Sequence, residues 1–144
     1  MLEGRCLSSY WHAGVSEKGR QQLINLKRRT GIQNWNVLCR WAFCLSLAES
    51  AVLPEEDIRA DSSVEMTWRT FSGGRDEAYW ALLLMRAHKD GIPRTPEALA
   101  EYFKLHLHRG LSYLNGKDIK SIGDLARLAT ATARPKKANA TLRQ

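Results

Sequence analysis

Apolar residues recur at helical spacing along most of the chain. At about 100° per residue, Leu23, Leu26 and Thr30 fall on one face of a first helix. The next helix, NVLCRWAFCLSLA, is apolar almost all the way round, which is typical of a helix buried on most sides. The pattern predicts a mainly α, compact single-domain fold. We predict helices over residues 16–30, 36–48, 75–90, 95–115 and 122–131.

Capping residues mark the ends of these helices. The hydroxyl of Ser16 can accept from the free N–H groups of the first turn, and Gly31 supplies the left-handed residue that commonly closes a helix. Thr95 precedes Pro96, which is favoured at the first helical position because its missing N–H costs nothing there. The predicted boundaries therefore rest on local chemistry as well as on periodicity.

One segment alternates between apolar and polar residues. Residues 64–71, VEMTWRTF, have the period of a strand, and a loop precedes them over residues 54–63. A lone strand needs a partner. We expect that partner to be the N-terminal segment, where residues 6–11 could be extended, or another subunit. The fold should contain at most one or two short strands.

Length and composition fit one soluble globular domain. The chain has 144 residues, of which 44% are hydrophobic and 26% charged, with a net charge of +7. We divide it into an N-terminal arm (1–15), a helical domain (16–132) and a flexible basic tail (133–144). The helices at 36–48 and 78–85 offer more apolar surface than a small domain can bury, which predicts a homo-oligomer.

Cysteine usage and targeting signals favour a cytoplasmic protein. The three cysteines, Cys6, Cys39 and Cys44, form neither a disulfide framework nor a zinc pattern, as expected in a reducing compartment. The N-terminus lacks the apolar core of a signal peptide, and no window is long and apolar enough to span a bilayer. We therefore expect no membrane association, metal or cofactor.

No catalytic constellation emerges from the sequence. His106 and His108 are two apart on a helix and cannot chelate one metal together, so we expect one in the core or an interface and the other solvated. The turn at 72–74 lacks the lysine of a phosphate-binding P-loop. Cys39 and Cys44 lie in the most apolar helix, where burial makes a thiol inert. These observations predict a protein that is not an enzyme.

The outer face of the first helix is the strongest candidate for a binding surface. It combines cationic and amide side chains and carries no carboxylate, which suits a polyanion better than a partner of mixed charge. A basic face that is simply solvated remains the alternative. The candidate DNA-binding residues are Lys18, Gln21, Asn25, Lys27, Arg28 and Arg29.

Several segments, in their order and spacing, resemble the DndE family, the small subunit of the bacterial DNA sulfur-modification (phosphorothioation) system. The resemblance covers roughly residues 16–115, and HLHRG is its most distinctive part. The matching segments are LKRRTGI (26–32), the apolar helix after it, TFSGG (70–74), ALLLMRAHKDG (81–91) and YFKLHLHRGLSYL (102–114).

The resemblance implies a non-catalytic helical protein that assembles as a tetramer and binds double-stranded DNA, with a preference for nicked duplex. It would work beside the other DNA sulfur-modification proteins, which exchange a non-bridging phosphate oxygen for sulfur. Surface lysines are implied to contact DNA in the family, and the matching positions here hold Lys18, Lys27, Arg28 and Arg29. Arginine partly replaces lysine, which keeps the charge but changes the geometry of phosphate contact.

Other interpretations remain open. RTGI followed by an apolar helix also resembles ribbon-helix-helix regulators, whose strand before the helix pair reads bases in the major groove. Residues 6–11 make a poor reading strand, because only Arg5 lies nearby as a long base-reading side chain. A protein–protein adaptor could use the basic helix without touching DNA. A sulfur carrier acting through Cys6 is the last alternative.

Overall fold

The computed structural model describes residues 12–133. These residues form one compact, mainly helical domain with a two-stranded sheet, which confirms the predicted fold class. In chain order the elements are β1 (His12–Gly14), α1 (Glu17–Thr30), α2 (Trp35–Ala48), β2 (Glu65–Thr67), α3 (Trp68–Ser72), α4 (Asp76–Lys89), α5 (Pro96–Gly116) and α6 (Ile122–Ala133).

The core is built around α2 and α5, which run in opposite directions past each other. Ala42 of α2 lies against Gly110 of α5, and a turn further along α2 the hydroxyl of Ser46 meets His106. Phe43 is fully buried and meets Phe103 with a ring-centroid distance of 5.2 Å. The predicted burial of the apolar helix is confirmed for most of its surface. One side of the helix is not buried, because Cys44 and Ala48 are exposed.

The helix caps follow the sequence. The Ser16 hydroxyl accepts from Gly19 N at 3.0 Å, and Gly31 has φ +80° and donates its N–H to the Lys27 carbonyl at 2.9 Å. Thr95 caps α5 through its side chain, with Pro96 at the first helical position. Asn34 precedes α2 but its side chain makes no capping hydrogen bond.

The prediction of a strand over residues 64–71 is wrong in its second half. β2 ends at Thr67, whose hydroxyl accepts from Thr70 N at 3.1 Å and so caps the short helix α3. Trp68 is therefore not a strand residue but a buried helical one, 1% exposed. The capping hydroxyl ends the strand, and α3 is the helix that the predicted five did not include.

The predicted N-terminal partner of the strand is confirmed. β1 pairs antiparallel with β2, with Ala13 opposite Met66. The extended segment expected at residues 6–11 lies outside the described residues, as does most of the predicted tail. The chain between α2 and β2, residues 49–64, has no regular secondary structure, in agreement with the predicted loop.

Within residues 12–133, none of the helices combines the length and apolar character needed to cross a bilayer. One apolar stripe is nevertheless exposed on α4, where Leu82 is 41% and Met85 is 69% exposed and Ala78 and Ala81 extend the same face. This stripe is the part of the helix at 78–85 that the described residues leave uncovered.

Candidate nucleic-acid interface

The outer face of α1 is held outward by its apolar face. Leu23 and Leu26 are fully buried, and Gln22 is anchored to α5 because its amide nitrogen donates to the Ser112 hydroxyl at 3.2 Å. At helical spacing, the side chains opposite this anchored face must point to solvent. The structure exposes Lys18, Gln21 and Arg28 there.

The six predicted residues divide into a central face and two flanks. On the central face, Arg28 Nη2 donates to the side-chain oxygen of the half-buried Asn25 at 3.1 Å. On one flank, Lys27 Nζ lies 4.2 Å from the ring centroid of Trp35. On the other, Arg29 Nη1 donates to the Asn115 carbonyl at 3.2 Å. The flanking cations thus contact groups outside α1, whereas Lys18, Gln21 and Arg28 are exposed and the hydrogen bond of Arg28 stays within the helix face.

Charge along this face is uneven. Glu17 borders its N-terminal end and accepts from Arg20 Nη1 at 3.0 Å. Asp61, from the loop after α2, accepts from the Glu17 N–H at 3.0 Å and occupies the positive end of the helix dipole. Positive potential is therefore strongest toward the C-terminal half of α1, around residues 25–29.

Acidic residues of the 49–64 loop approach α1 from one side. Glu56 and Lys18 line the same cavity of about 300 Å³, together with Val52 and Ser112. Glu55 and Asp57 are exposed beside Glu56. A polyanion that binds along α1 would meet repulsion at this edge, so the structure directs it toward Arg28 and away from the loop.

A polar depression of about 470 Å³ lies on the opposite flank of α1. Arg20 of α1 and Thr70 of α3 both line it. Its lining is rich in amide and hydroxyl groups, with the indole of Trp35 at its wall, and one carboxylate, Glu65, faces it. The amide and hydroxyl side chains of this lining include those of Gln33, Asn34, Asn36 and Ser63.

The backbone amides that follow Ser72 are not available to hold a phosphate at the turn over residues 72–74. Gly73 N donates to the Thr70 carbonyl and Gly74 N to the Arg69 carbonyl, both at 3.2 Å, and Arg75 N donates to the Ser72 carbonyl at 3.3 Å. With these donors used inside the turn, the backbone here ends α3 and starts α4. It is not an anion cradle of the P-loop kind.

The structure brings together a serine and a histidine that sequence reasoning did not pair. Ser46 Oγ lies 2.8 Å from His106 Nδ1 and accepts from Arg109 Nε at 2.9 Å. Ser46 and His106 are both 0% exposed, so no substrate reaches them. Burial, with Arg109 and Arg86 close by, lowers the His106 pKa to about 3. The pair is therefore neutral and structural.

The two arginines of this network bind the carboxyl end of α2, which has no basic residue of its own in its last turn. Arg109 donates to the Ser46 and Ala51 carbonyls, each at 2.8 Å. Arg86 donates to the Leu47 carbonyl at 2.8 Å and to Asp90 at 3.0 Å. Both arginines thus satisfy carbonyls that a helix end leaves open.

His108 is buried, so the expectation that one of the two histidines is solvated is wrong. Its Nδ1–H donates to the Lys104 carbonyl at 2.8 Å, and its Nε2 accepts from the Ser16 N–H at 3.0 Å. The ring ties α5 to the first turn of α1. Accepting through Nε2 requires a neutral ring, and burial, first among the causes, lowers the His108 pKa.

These two histidines predict a loss of stability on acidification. Both pKa values lie below the ordinary 6.5, so the unfolded chain binds protons that the folded chain excludes. The stabilisation is complete above pH 6.5 and is lost as pH falls toward the folded pKa. His106 alone should cost about 2 kcal/mol between pH 6.5 and 5, at about 1.36 kcal/mol per unit.

Urea unfolding at pH 7.5, 6 and 5 measures this loss. His106→Phe should unfold with a weaker pH dependence than the wild type, because one of the two groups is gone. A free energy of unfolding that is flat from pH 7.5 to 5 would contradict the assignment.

The cysteines do not form a reactive site within residues 12–133. Burial raises the Cys39 pKa to about 12. Cys44 is exposed, which corrects the expectation that it is buried, yet partial burial of its thiol still raises its pKa, against smaller opposing effects of a hydrogen bond with Tyr79 and of Arg40. Neither thiol is poised as a thiolate. Cys6 lies outside the described residues, and the described residues contain no His/Cys/Asp/Glu group suited to a metal ion.

The described part of the chain thus defines a small helical domain with one basic helix face and a buried polar anchor. These features are typical of a protein that binds a polyanion. The family described as "DNA sulphur modification protein DndE" matches residues 12–121. The chain belongs to the DndE family and so to the DNA phosphorothioation system. Among proteins with curated descriptions, none matches it significantly.

A crystal structure of DndE from Escherichia coli B7A, a protein involved in DNA phosphorothioation modification, has a similar fold. The TM-score is 0.61 at 23% sequence identity, and the match covers 72% of this chain and 94% of that one. The likeness supports the fold: it places the same helical architecture in a second member of the system.

Proposed function

We propose that this chain is a non-catalytic subunit of the DNA phosphorothioation system that binds double-stranded DNA through backbone phosphates. The observation that carries the proposal is the outer face of α1, where Lys18, Gln21 and Arg28 are exposed, together with membership of the DndE family. Contacts from these side chains to backbone phosphates carry no sequence information, so binding of this kind should show little sequence preference.

The proposal includes three partners. The first is duplex DNA, with a preference for nicked duplex. The second is the group of other sulfur-modification proteins, which carry out the chemistry. The third is the chain itself as a homotetramer, for which the exposed stripe of Leu82 and Met85 on α4 offers apolar surface. Obligate subunit contacts are rich in apolar area, which is why this stripe supports the proposal.

The structure gives less support to a ribbon-helix-helix regulator. In that class the strand before the helix pair enters the major groove. Here β1 pairs within the chain with β2, and Ala13 at its centre is 5% exposed. The strand is thus part of the domain's own sheet.

Removing two exposed cations from α1 should weaken DNA binding uniformly. For Lys18→Ala/Arg28→Ala we expect about a tenfold loss of affinity on two unrelated duplexes. The steepness of log K against log salt should fall by about two, because binding releases roughly one counterion fewer for each phosphate contact that is lost. Gel shifts with intact and nicked duplex at two salt concentrations measure both quantities.

The matched control is Lys89→Ala/Arg94→Ala, which removes the same charge from two exposed residues near the far end of α4. It should bind almost as the wild type does. Tight binding to only one of the duplexes would favour a sequence-specific regulator, and no binding at low salt would leave a protein adaptor.

A further inference from the structure

A second group of arginines surrounds the turn between α3 and α4. Arg40 reaches this turn from α2, and its Nη1 donates to the Phe71 carbonyl at 2.8 Å. Gly73, with φ +67°, makes the approach possible, because a Cβ there would lie 2.8 Å from Arg40 Nη1. The glycine therefore serves two purposes: it ends α3 and leaves room for a guanidinium held in a fixed place.

Two more arginines flank this anchored one. Arg69 and Arg75 are both exposed, and no described residue forms an ion pair with either. Arg75 precedes α4 without capping it through its side chain. Arg75 and Arg40 both act on the Tyr79 hydroxyl, whose pKa is raised by burial first and is lowered in part by these two charges. Arg40 and Arg75 therefore both lie near the Tyr79 hydroxyl.

Nearby carboxylates do not cancel this charge. Asp76 accepts from the Ser72 hydroxyl at 2.6 Å, so part of its hydrogen-bonding capacity is used within the turn. Glu77 follows it in the first turn of α4, where the helix dipole favours a negative charge. Three arginines against these two carboxylates leave the cluster positive.

The cluster is connected to α1 by the polar depression described above. Thr70, which lines that depression, follows Arg69 on the same short helix, and Arg20 of α1 lines the depression as well. Asn36, also in its lining, donates to the Thr70 carbonyl at 2.9 Å and so fixes α3 against the start of α2. Polar and cationic groups thus run from α1 across the depression to the arginines.

We propose that Arg40, Arg69 and Arg75 form a second surface that contacts DNA phosphates, continuous with the α1 face through the depression at Thr70. The inference rests on the proposed function and extends it. Guanidinium groups match phosphate geometry in a bidentate manner, and one already fixed against the backbone loses little side-chain freedom on binding. A phosphodiester backbone is a continuous polyanion, so it can meet both surfaces at once.

The test uses the full chain and a fluorescently labelled duplex, with anisotropy read at four salt concentrations. Arg69→Ala/Arg75→Ala should lower affinity roughly three- to tenfold on any sequence and reduce the salt slope by about two. Both side chains are exposed, so the variant should fold, and circular dichroism and the unfolding midpoint verify this.

The control is again Lys89→Ala/Arg94→Ala, because residue 89 lies about 20 Å from residue 75 along α4, at about 1.5 Å per residue. An unchanged affinity and slope for Arg69→Ala/Arg75→Ala, with Lys18→Ala/Arg28→Ala still impaired, would overturn the second surface and leave the α1 proposal standing. An equal loss in the control would also overturn it, because any cation would then serve. Failure of the wild type to bind would instead reject the proposed function.

Discussion

Gly110→Ala should destabilise the protein by about 3 to 5 kcal/mol. A Cβ on Gly110 would lie 1.8 Å from the carbonyl oxygen of Ala42 and 2.3 Å from its carbonyl carbon. These are backbone atoms in the middle of α2, so no side chain can turn aside to make room. The two helices must separate, and the packing of Phe43 against Phe103 would loosen with them.

Thermal and urea unfolding of the variant measure this effect, and a fall in melting temperature of roughly 10 °C or more is expected. Gly116→Ala is the matched control, because it lies in the last turn of the same helix with nothing within 4 Å of an added Cβ. It should be neutral or stabilising by up to about 1 kcal/mol. Equal stability of the two variants would show that α2 and α5 are not in close contact at Gly110.

Local chemistry made most of the helical fold predictable. Ser16, Gly31 and Thr95 each form capping hydrogen bonds with residues three or four positions away. Each therefore marks a helix end that can be located from the sequence and that the structure confirms. The same kind of signal was misjudged at Thr67. Alternation favoured a continuing strand, whereas the hydroxyl of Thr67 caps a helix and brings Trp68 into the core.

Long-range pairing could not be predicted in the same way. Ser46 and Arg109 are 63 residues apart, and no periodicity relates them. The HLHRG segment stood out in the sequence, but its residues contact two different parts of the fold. His106 and Arg109 both meet Ser46 near the end of α2, and His108 accepts from the N–H of Ser16 before α1. The available sequence signal for a buried anchor in α5 was the position of Arg109 between the apolar residues Leu107 and Leu111.

The candidate interface could also be predicted only in part, because helical periodicity indicates which residues are exposed but not which contacts they make. Helical periodicity correctly placed Lys18, Gln21 and Arg28 on one exposed face. It could not show that Lys27 covers Trp35 or that Arg29 donates to Asn115, because both partners come from elsewhere in the chain. It also missed Arg40, whose position depends on the room that Gly73 provides.

The anchor at the end of α2 leads to the second large effect. Arg109→Met should cost about 3 to 5 kcal/mol, because it keeps much of the side-chain bulk but removes the charge-assisted hydrogen bonds that the guanidinium donates at the end of α2. The acceptors of these bonds are the Ser46 hydroxyl and carbonyl and the Ala51 carbonyl. Arg109→Lys should recover only part of the loss, since an ammonium group cannot reproduce the fork that meets three of them.

The same substitution should also release the chain that follows α2. Ala51 accepts from both Arg109 and Arg86, so loss of Arg109 should loosen the segment after α2. Amide hydrogen–deuterium exchange should therefore rise at residues 49–53 before it rises in α2 itself. Arg94→Met, at an exposed position, should change stability by less than about 0.5 kcal/mol and leave exchange unchanged. Because α1 makes no hydrogen bond to Arg109, folded Arg109→Met should bind DNA as the wild type does. A loss of binding without a change in exchange would instead give Arg109 a direct part in the interface.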